Sequence, residues 1–187
     1  MARKSETINC PFTIVIDTAE QQPFTFSNLK ADADQGHKPI VVTTEFTCLG
    51  RHPNSMGDYS ISGFIGQVGI ERKSMEDAQS TILGWDGRRD RFECELENLA
   101  KLEAGLVVVE CSFEQLIQEA PEYGTRTKSA NAKSLMRSVL AFQQDYKVPW
   151  LFAGGRRLAE ISTFRFLQRF FEKQKAHAEV GGLKNDD

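Results

Sequence analysis

The residues whose types and spacing could do chemistry are Asp58 and the segment Glu71-Arg72-Lys73. Residues two apart on a strand point to the same face, so Glu71 and Lys73 project together and Arg72 points away. If Asp58 begins the partner strand, its carboxylate approaches that of Glu71, and two close carboxylates repel each other. A hard divalent cation removes this conflict, because Mg²⁺ and Mn²⁺ prefer oxygen ligands. The pattern therefore predicts a Mg²⁺ or Mn²⁺ site with an ammonium group beside it.

Two further acids, Asp17 and Glu20, follow the β-branched run from Thr13 to Ile16, which predicts a buried strand. We expect them to extend the same acidic site; the alternative is a plain turn after the strand. A cation held by such acids polarises a phosphodiester oxygen and lowers the pKa of a bound water. Lys73 can orient that water or offset the charge that builds on the phosphate. The alternative for the whole pattern is a solvated strand edge, whose ion pairs contribute little stability.

A basic cluster of three arginines opens a helix just after these acids, at Arg88, Arg89 and Arg91. The cluster follows a Gly-containing break, which favours contact with phosphate groups. The alternative is a solvated helix face. Asp77 lies near the start of the preceding predicted helix, where it is either a helix-capping acid or a member of the site.

Hydrophobic spacing predicts the elements that must position these residues. Strands are expected at 13–17, 40–44, 58–61, 68–71, 106–110 and 148–152, and helices at 75–83, 89–103, 132–140 and 161–171. Glycines between the third and fourth of these strands favour a hairpin that brings Asp58 towards Glu71. Pro149 indicates an edge position for the last strand. Strands alternating with helices predict an α/β fold with a mixed central sheet and helices on both faces.

Composition limits the classes of protein to which the chain can belong. Its 187 residues suffice for one domain with a real core. No apolar run approaches the roughly 20 residues of a membrane span, and the polar segment 1–9 lacks a secretory signal, so we expect a cytoplasmic protein without a membrane partner. Four cysteines without CxxC spacing and three scattered histidines argue against a disulfide framework and a structural zinc site. The net charge of -3 does not itself indicate a nucleic-acid binder.

A longer pattern surrounds the acids and is far more specific than they are. Gly57-Asp58-Tyr59 followed by the segment 71–77, Glu-Arg-Lys-Ser-Met-Glu-Asp, has the form GDY…ERKxxxD. This pattern resembles the XPF-type structure-specific endonucleases, a branch of the PD-(D/E)xK nucleases, and above all their short, stand-alone bacterial and phage versions. The segment 17–26 resembles that family's DTREQ-x-P-x-x-F opening, with Ala19 at the usual Arg position. The segment 89–96 is similar to its RxRFExEL helix, and the likeness covers roughly residues 12–172.

The resemblance implies a restriction-endonuclease-like α/β fold. It implies an N-terminal extension at 1–11, an XPF-type nuclease domain at 12–175 and a flexible tail at 176–187. It also implies three metal ligands, which are Asp17, Asp58 and Glu71. Glu20 is a further acidic member of the implied site. Lys73 matches the catalytic lysine, and Arg72 and Asp77 match supporting positions.

The function implied by the resemblance is Mg²⁺- or Mn²⁺-dependent cleavage of DNA near junctions or flaps. Such cleavage belongs to DNA repair, recombination, replication or phage DNA processing, in a bacterial or phage-infected cell. The alternatives are a non-catalytic DNA-binding or scaffold subunit, and a nuclease for RNA or for a defined duplex sequence. The Phe-rich stripe from Phe164 to Phe171 predicts core packing; the alternative is a homodimer interface, because the family pairs through its last helices. A helicase or a replication or repair protein is a further partner that the resemblance allows.

Overall fold

The computed structural model describes residues 6–51, 57–122 and 125–182. The described part contains seven strands, β1 Ile8–Asp17, β2 Leu29–Lys30, β3 Pro39–Thr47, β4 Tyr59–Ile61, β5 Val68–Lys73, β6 Ala104–Val109 and β7 Trp150–Phe152. It also contains five α-helices, α1 Met75–Leu83, α2 Arg88–Leu99, α3 Phe113–Gln118, α4 Lys128–Tyr146 and α5 Arg156–Gly182. Short 3-10 turns occur at Ala33–Gln35, Leu49–Arg51 and Trp85–Gly87. None of the described helices combines the length and apolar character that crossing a bilayer requires.

The strands form one mixed sheet in the order β2-β3-β1-β4-β5-β6-β7. The middle of the sheet is antiparallel, because β4 runs against both β1 and β5. On either side the pairing is parallel, between β1 and β3 and from β5 through β6 to β7. The predicted hairpin of β4 and β5 and the predicted edge position of β7 are therefore confirmed.

Two hydrophobic cores lie on opposite faces of this sheet. One core packs α5 against β1, β4 and β5, and the other packs α1 to α4 against β6. The strand β6 contributes to both cores, since Leu106 and Val108 face the first while Val107 and Val109 face the second. This burial on both faces explains why β6 is a continuous apolar run. The mixed α/β sheet with helices on both faces is confirmed.

The Phe-rich stripe of α5 belongs to the first core. Phe164 is 2% exposed and Phe170 is 5% exposed. Phe12 of β1 stacks on Phe164 with ring centroids 6.0 Å apart, and it also contacts Phe171 at 5.2 Å. Core packing therefore explains the stripe, and the alternative of a homodimer interface at these residues stays a prediction.

Several boundaries differ from the prediction. The strand β1 begins at Ile8, so the expected extension 1–11 is partly sheet, while residues 1–5 lie outside the described residues. Its register with β3 shifts between Asn9 and Thr13, where Pro11 lacks the amide that a regular ladder needs. The helix α5 continues to Gly182, so the expected tail 176–187 is helical as far as it is described. The helix α3, which begins with a capping box of Ser112 and Gln115, was not predicted.

Candidate active site

The carboxyl ends of β1 and β5 and the start of β4 meet at one edge of the sheet. The backbone of Asp58 joins them, because its amide donates to Ile70 of β5 at 2.7 Å and its carbonyl accepts from the Asp17 amide at 2.9 Å. Gly57 makes this approach feasible, since it has a φ of +99° and a Cβ there would lie 2.6 Å from the Ile70 carbonyl oxygen. The glycine of the GDY pattern thus seats Asp58 against β5.

An open cleft of about 400 Å³ lies at this edge and is called the main cleft below. Its walls come from the loop after β1, the start of β4, the end of β5 and the neighbouring helices. The lining residues are Ala19, Glu20, Gln21, Gln22, Asp58, Glu71, Arg72, Lys73, Ser74, Asp77 and Arg88. Most of the predicted site residues therefore line one cleft, although they come from separate parts of the sequence.

Asp58 and Glu71 are the acids at the base of the main cleft. The Oδ2 atom of Asp58 accepts a hydrogen bond from the backbone amide of Arg72 at 2.7 Å. The Oε1 atom of Glu71 accepts one from Lys73 Nζ at 2.7 Å. Burial and then the negative charge of Glu71 raise the pKa of Asp58 well above its ordinary value. The two carboxylates thus converge closely enough to repel each other.

Lys73 is a buried cation surrounded by acids. Its Nζ lies 2.7 Å from Glu71, 3.4 Å from Asp77 and 3.7 Å from Glu95, and 4.7 Å from the centre of the Phe92 ring. Burial alone would lower the pKa of Lys73, but the charges of Glu71, Glu95 and Asp77 outweigh it and raise that pKa. The ammonium is therefore charged at neutral pH and cannot serve as a base there.

Arg72 lies between Glu71 and Lys73 but points to the opposite face of β5. Its Nε donates to Glu110 at 2.8 Å, and a terminal nitrogen donates to Glu20 Oε1 at 3.1 Å. Its guanidinium lies 5.7 Å from the centre of the Phe24 ring. The supporting position expected for Arg72 is thus a link between the loop that carries Glu20 and the end of β6.

The structure does not bring Asp17 into the main cleft. Its two carboxylate oxygens accept the backbone amides of Ala19 at 2.6 Å and Gly50 at 3.0 Å. Its side chain thus closes a turn after β1, which was the alternative interpretation. Across the ranges that the structure describes, no three carboxylate, thiol or imidazole groups converge as a ready-made metal site. Asp17 therefore does not line the main cleft, and its place beside Asp58 and Glu71 in the expected ligand set stays a prediction.

Ser74 is the residue that caps α1, while the carboxylate of Asp77 contacts charged groups of the site. Asp77 lies in the first turn of α1, where its backbone amide donates to the capping hydroxyl of Ser74 at 3.1 Å. Its carboxylate lies 3.4 Å from Lys73 Nζ and accepts a hydrogen bond from Arg88 at 3.0 Å. Asp77 therefore connects the buried ammonium to the rim of the cleft.

The three arginines of the basic cluster do not share one surface. Arg88 lines the main cleft, and Arg91 lines a second, adjoining cleft of about 440 Å³. Arg89 instead donates to Glu93 at 2.9 Å and to Ser138 of α4 at 3.1 Å, so it joins two helices. Because consecutive helical residues point about 100° apart, Arg89 cannot share the direction of Arg88. The expectation that Arg89 contacts phosphate is therefore not supported by its position.

Two acids of this site were missed from the sequence. Glu95 lines the second cleft, and burial followed by the charge of Glu71 raises its pKa to about 7. It lies four residues after Arg91, hence on the same face of α2, which was the available signal. Glu110 directly follows the buried strand β6, parallel to β5, so its place at the same sheet edge was also predictable.

The donors at the base of the main cleft fit a small divalent cation. The described residues hold one oxygen of each carboxylate, through the Arg72 amide at Asp58 and through Lys73 at Glu71. The other oxygen of each can act as a ligand. In proteins, Mg²⁺ is commonly held by one or two carboxylates, with water and substrate phosphates as the remaining ligands. The pair Asp58 and Glu71 meets that requirement.

The fold has counterparts among solved structures. No family model matches the sequence, and the comparison with curated proteins found no significant match. The chain is similar to XPF from Aeropyrum pernix, with a TM-score of 0.54 and 19% identity over 90% of this chain and 69% of that chain. It is also similar to XPF from Aeropyrum pernix in complex with DNA, with a TM-score of 0.51 and 19% identity over 87% and 66%. The chain thus spans about two thirds of those proteins and has an XPF-like, restriction-endonuclease-like nuclease fold.

Proposed function

We propose that this chain is a Mg²⁺- or Mn²⁺-dependent endonuclease that hydrolyses phosphodiester bonds of DNA. The observation that carries the proposal is the pair of the half-buried Asp58 and the buried Glu71, with the Lys73 ammonium against Glu71, in an open polar cleft. The XPF-like fold supports it, and one of the similar structures is a complex with DNA. Intact acids and lysine at this site favour catalysis over a non-catalytic DNA-binding or scaffold subunit.

Asp58 and Glu71 would hold the cation, which supplies polarisation of a phosphoryl oxygen and a water of lowered pKa. Lys73 keeps Glu71 in place through its 2.7 Å hydrogen bond. Since the ammonium stays protonated, its chemical contribution is positive charge next to the phosphate in the transition state. A different residue or solvent must therefore accept the proton of the attacking water.

Glu95 has the properties of a proton acceptor near neutral pH. Its pKa of about 7 lies close to the value at which a general base works best. Its carboxylate is 3.7 Å from Lys73 and opens to the second cleft, which shares Lys73, Asp77 and Arg88 with the main cleft. We assign Glu95 the role of receiving a proton that leaves the main cleft by way of solvent.

Arg88 and Arg91 are the proposed phosphate contacts of the basic cluster. Arg88 lines both clefts and Arg91 lines the second, so a strand that extends from the main cleft into the second would pass both arginines. Contacts of this kind bind the backbone and do not distinguish sequence, and they weaken as salt rises. Junction or flap DNA is the proposed substrate, recognised by its shape, in repair, recombination, replication or phage DNA processing.

The proposal is tested with the purified chain and labelled flap, junction and linear DNA, with single-stranded RNA as a competitor. We expect cleavage of the branched DNA with Mg²⁺ or Mn²⁺ and none with a chelator. Lys73→Met should lower the cleavage rate by about 100-fold or more, because it removes a preorganised charge. Lys133→Met, at an exposed position of α4, is the matched control and should leave the rate unchanged. Binding of DNA without cleavage under all these conditions would favour the scaffold subunit.

A further inference from the structure

A series of ion pairs connects the main cleft to the start of α5, on the opposite face of β5. Arg72 Nε donates to Glu110 Oε1 at 2.8 Å, and the same oxygen accepts a hydrogen bond from Arg156 at 2.7 Å. At its other end Arg72 donates to both oxygens of Glu20, at 3.1 and 3.3 Å. The side chains of Glu20, Arg72 and Glu110 are 5%, 9% and 11% exposed. Salt and solvent therefore screen the two pairs of Arg72, with Glu20 and with Glu110, only weakly.

Arg156 closes this chain of contacts into a ring. One of its terminal nitrogens donates to the carbonyl of Gln22 at 2.7 Å and to that of Pro23 at 3.1 Å. Its guanidinium lies 5.0 Å from the centre of the Phe24 ring. The loop 20–24 is thus held at its start through Glu20 and at its end through Arg156. The ring formed by Glu20, Arg72, Glu110, Arg156 and this loop is called the ion ring below.

The ion ring is joined to one wall and to the base of the main cleft. Glu20, Gln21 and Gln22 of the loop form one wall. Asp58 belongs to the base, and its carboxylate accepts the backbone amide of Arg72 at 2.7 Å. A displacement of Arg72 therefore moves the loop through its side chain and Asp58 through its backbone.

Glu110 is the anion that two guanidiniums share. With its charge removed, Arg72 and Arg156 become neighbouring like charges, and their repulsion favours separation. Arg156 is the freer of the two, because its side chain is 42% exposed while that of Arg72 is 9% exposed. Its withdrawal would release the carbonyls of Gln22 and Pro23, and with them the loop.

We propose that Glu110 and Arg156 are positioning residues of the main cleft. They keep Arg72 between two acids, so that Glu20 faces the cleft and the loop 20–24 forms a fixed wall for the nucleic-acid strand. Neither residue touches the reacting atoms. The inference rests on the proposed function for its effect on turnover, whereas its effect on the loop is independent of catalysis.

The first test measures turnover and KM on a flap DNA. Glu110→Gln keeps the shape of the side chain and removes its charge. We expect turnover to fall about 10- to 100-fold, since misplacing a site by about 1 Å has an effect of this size. We expect KM to change by less than about 3-fold, because the proposed phosphate contacts at Arg88 and Arg91 remain. Glu20→Gln combined with Glu110→Gln should be less than additive, because both changes open the same ring.

The second test measures amide hydrogen exchange of residues 19–24 in the protein without DNA or metal. Glu110→Gln and Arg156→Met should both speed this exchange at least about 5-fold and leave the amides of β5 and β6 protected. The matched control is Arg165→Met. Arg165 also lies on α5. It donates hydrogen bonds to the Lys30 carbonyl at 2.8 Å and to the Asp32 carboxylate at 3.0 Å, away from the main cleft.

The outcomes separate the positioning role from the proposed function. Unchanged exchange of residues 19–24 in both variants would overturn the positioning role, whatever the cleavage results. Lowered turnover that adds fully to the effect of Glu20→Gln would also overturn it, because the residues would then act separately. If the unmodified protein cuts no DNA, the proposed function fails, and the exchange measurement alone decides the ion ring.

Discussion

At the scale of single residues, Asp58 and Glu71, the proposed ligands of a cation, repel each other in the metal-free protein. Burial and the charge of Glu71 raise the pKa of Asp58, so the folded protein holds this proton more tightly than the unfolded chain does. Its stabilising contribution is present below the ordinary pKa of 3.8 and is lost as the pH rises through the raised pKa. Above that raised pKa, therefore, ionised Asp58 destabilises the metal-free protein.

Asp58→Asn should accordingly raise the Tm of the metal-free protein at pH 8, since the amide keeps an acceptor for Arg72 and removes the repulsion with Glu71. Added Mn²⁺ should raise the Tm of the unmodified protein and have little effect on the variant. Thermal unfolding followed by circular dichroism measures both shifts. Asp145→Asn, at an exposed position of α4, is the control and should behave like the unmodified protein. A lower Tm for Asp58→Asn would contradict the repulsion between the two acids.

Glu95 predicts a second pH dependence of the same sign. Its pKa rises from 4.5 to about 7 through burial and the charge of Glu71, so the free energy of unfolding should fall as pH rises between these values. Glu95→Gln should remove this fall and raise stability at pH 8 by on the order of 1–3 kcal/mol. Urea unfolding at pH 5, 6.5 and 8 measures the effect. Glu97→Gln, an exposed acid of the same helix, should retain the pH dependence of the unmodified protein.

The sequence predicted side-chain orientation correctly within a strand and less well in a turn. The alternation along β5 put Glu71 and Lys73 on one face and Arg72 on the other, as the structure has them. The family resemblance implied that Asp17 is a ligand, and its place at the end of a strand favoured a role in the site. The chain turns there, however, and the Asp17 carboxylate caps that turn. The direction of a side chain in a turn depends on backbone dihedral angles, which periodicity does not reveal.

At the scale of elements, the helix α1 was predicted with its observed bounds, Met75–Leu83, because local chemistry sets both ends. Ser74 caps its start, and Gly84 ends it in the left-handed region with a φ of 80°. The longer helix α5 has no such stop near residue 175, so its continuation to Gly182 was missed. The two-residue strand β2 gives no periodic signal, because it is defined only by its pairing with β3.

The turn into β4 predicts a strong requirement for glycine at position 57. Gly57→Ala should lower the free energy of unfolding by more than about 3 kcal/mol, because left-handed strain adds to the clash with the Ile70 carbonyl. Gly63→Ala is the matched control, since Gly63 also has a positive φ, of +83°, but a Cβ there meets no atom within 4 Å. Gly63→Ala should lower the free energy of unfolding by about 1–2 kcal/mol. Urea unfolding measures both variants. Equal losses of unfolding free energy for Gly57→Ala and Gly63→Ala would mean that the close approach of Gly57 to β5 is unimportant.

At the scale of the whole molecule, a mixed sheet between two cores brings separate segments of sequence to one edge. The alternating strands and helices predicted this architecture, but not the strand order, which depends on contacts distant in sequence. The order places β4 between β1 and β5, and this puts Asp58 beside Glu71 and near the loop that carries Glu20. The candidate site thus depends on the strand order as well as on the residues that form it.

The assignment of the Phe-rich stripe to the core gives a prediction about the whole fold. Phe164→Ala should lower the free energy of unfolding by about 3–5 kcal/mol, because the ring is 2% exposed and packs on Phe12. Phe46→Ala removes a ring that is 58% exposed and should change stability by less than about 0.5 kcal/mol. Urea unfolding at several protein concentrations measures both. A loss for Phe164→Ala that depends on protein concentration would instead indicate a subunit interface.

The most direct test of the account is the single-turnover rate of Mn²⁺-dependent cleavage of a flap DNA by Asp58→Asn, compared with the unmodified protein and with Asp145→Asn. We expect the cleavage rate of Asp58→Asn to be lower by about 1000-fold or more, because the substitution removes the negative charge of a proposed cation ligand. The rate of Asp145→Asn should equal that of the unmodified protein. Equal cleavage by Asp58→Asn would contradict the account and place the catalytic centre outside the main cleft.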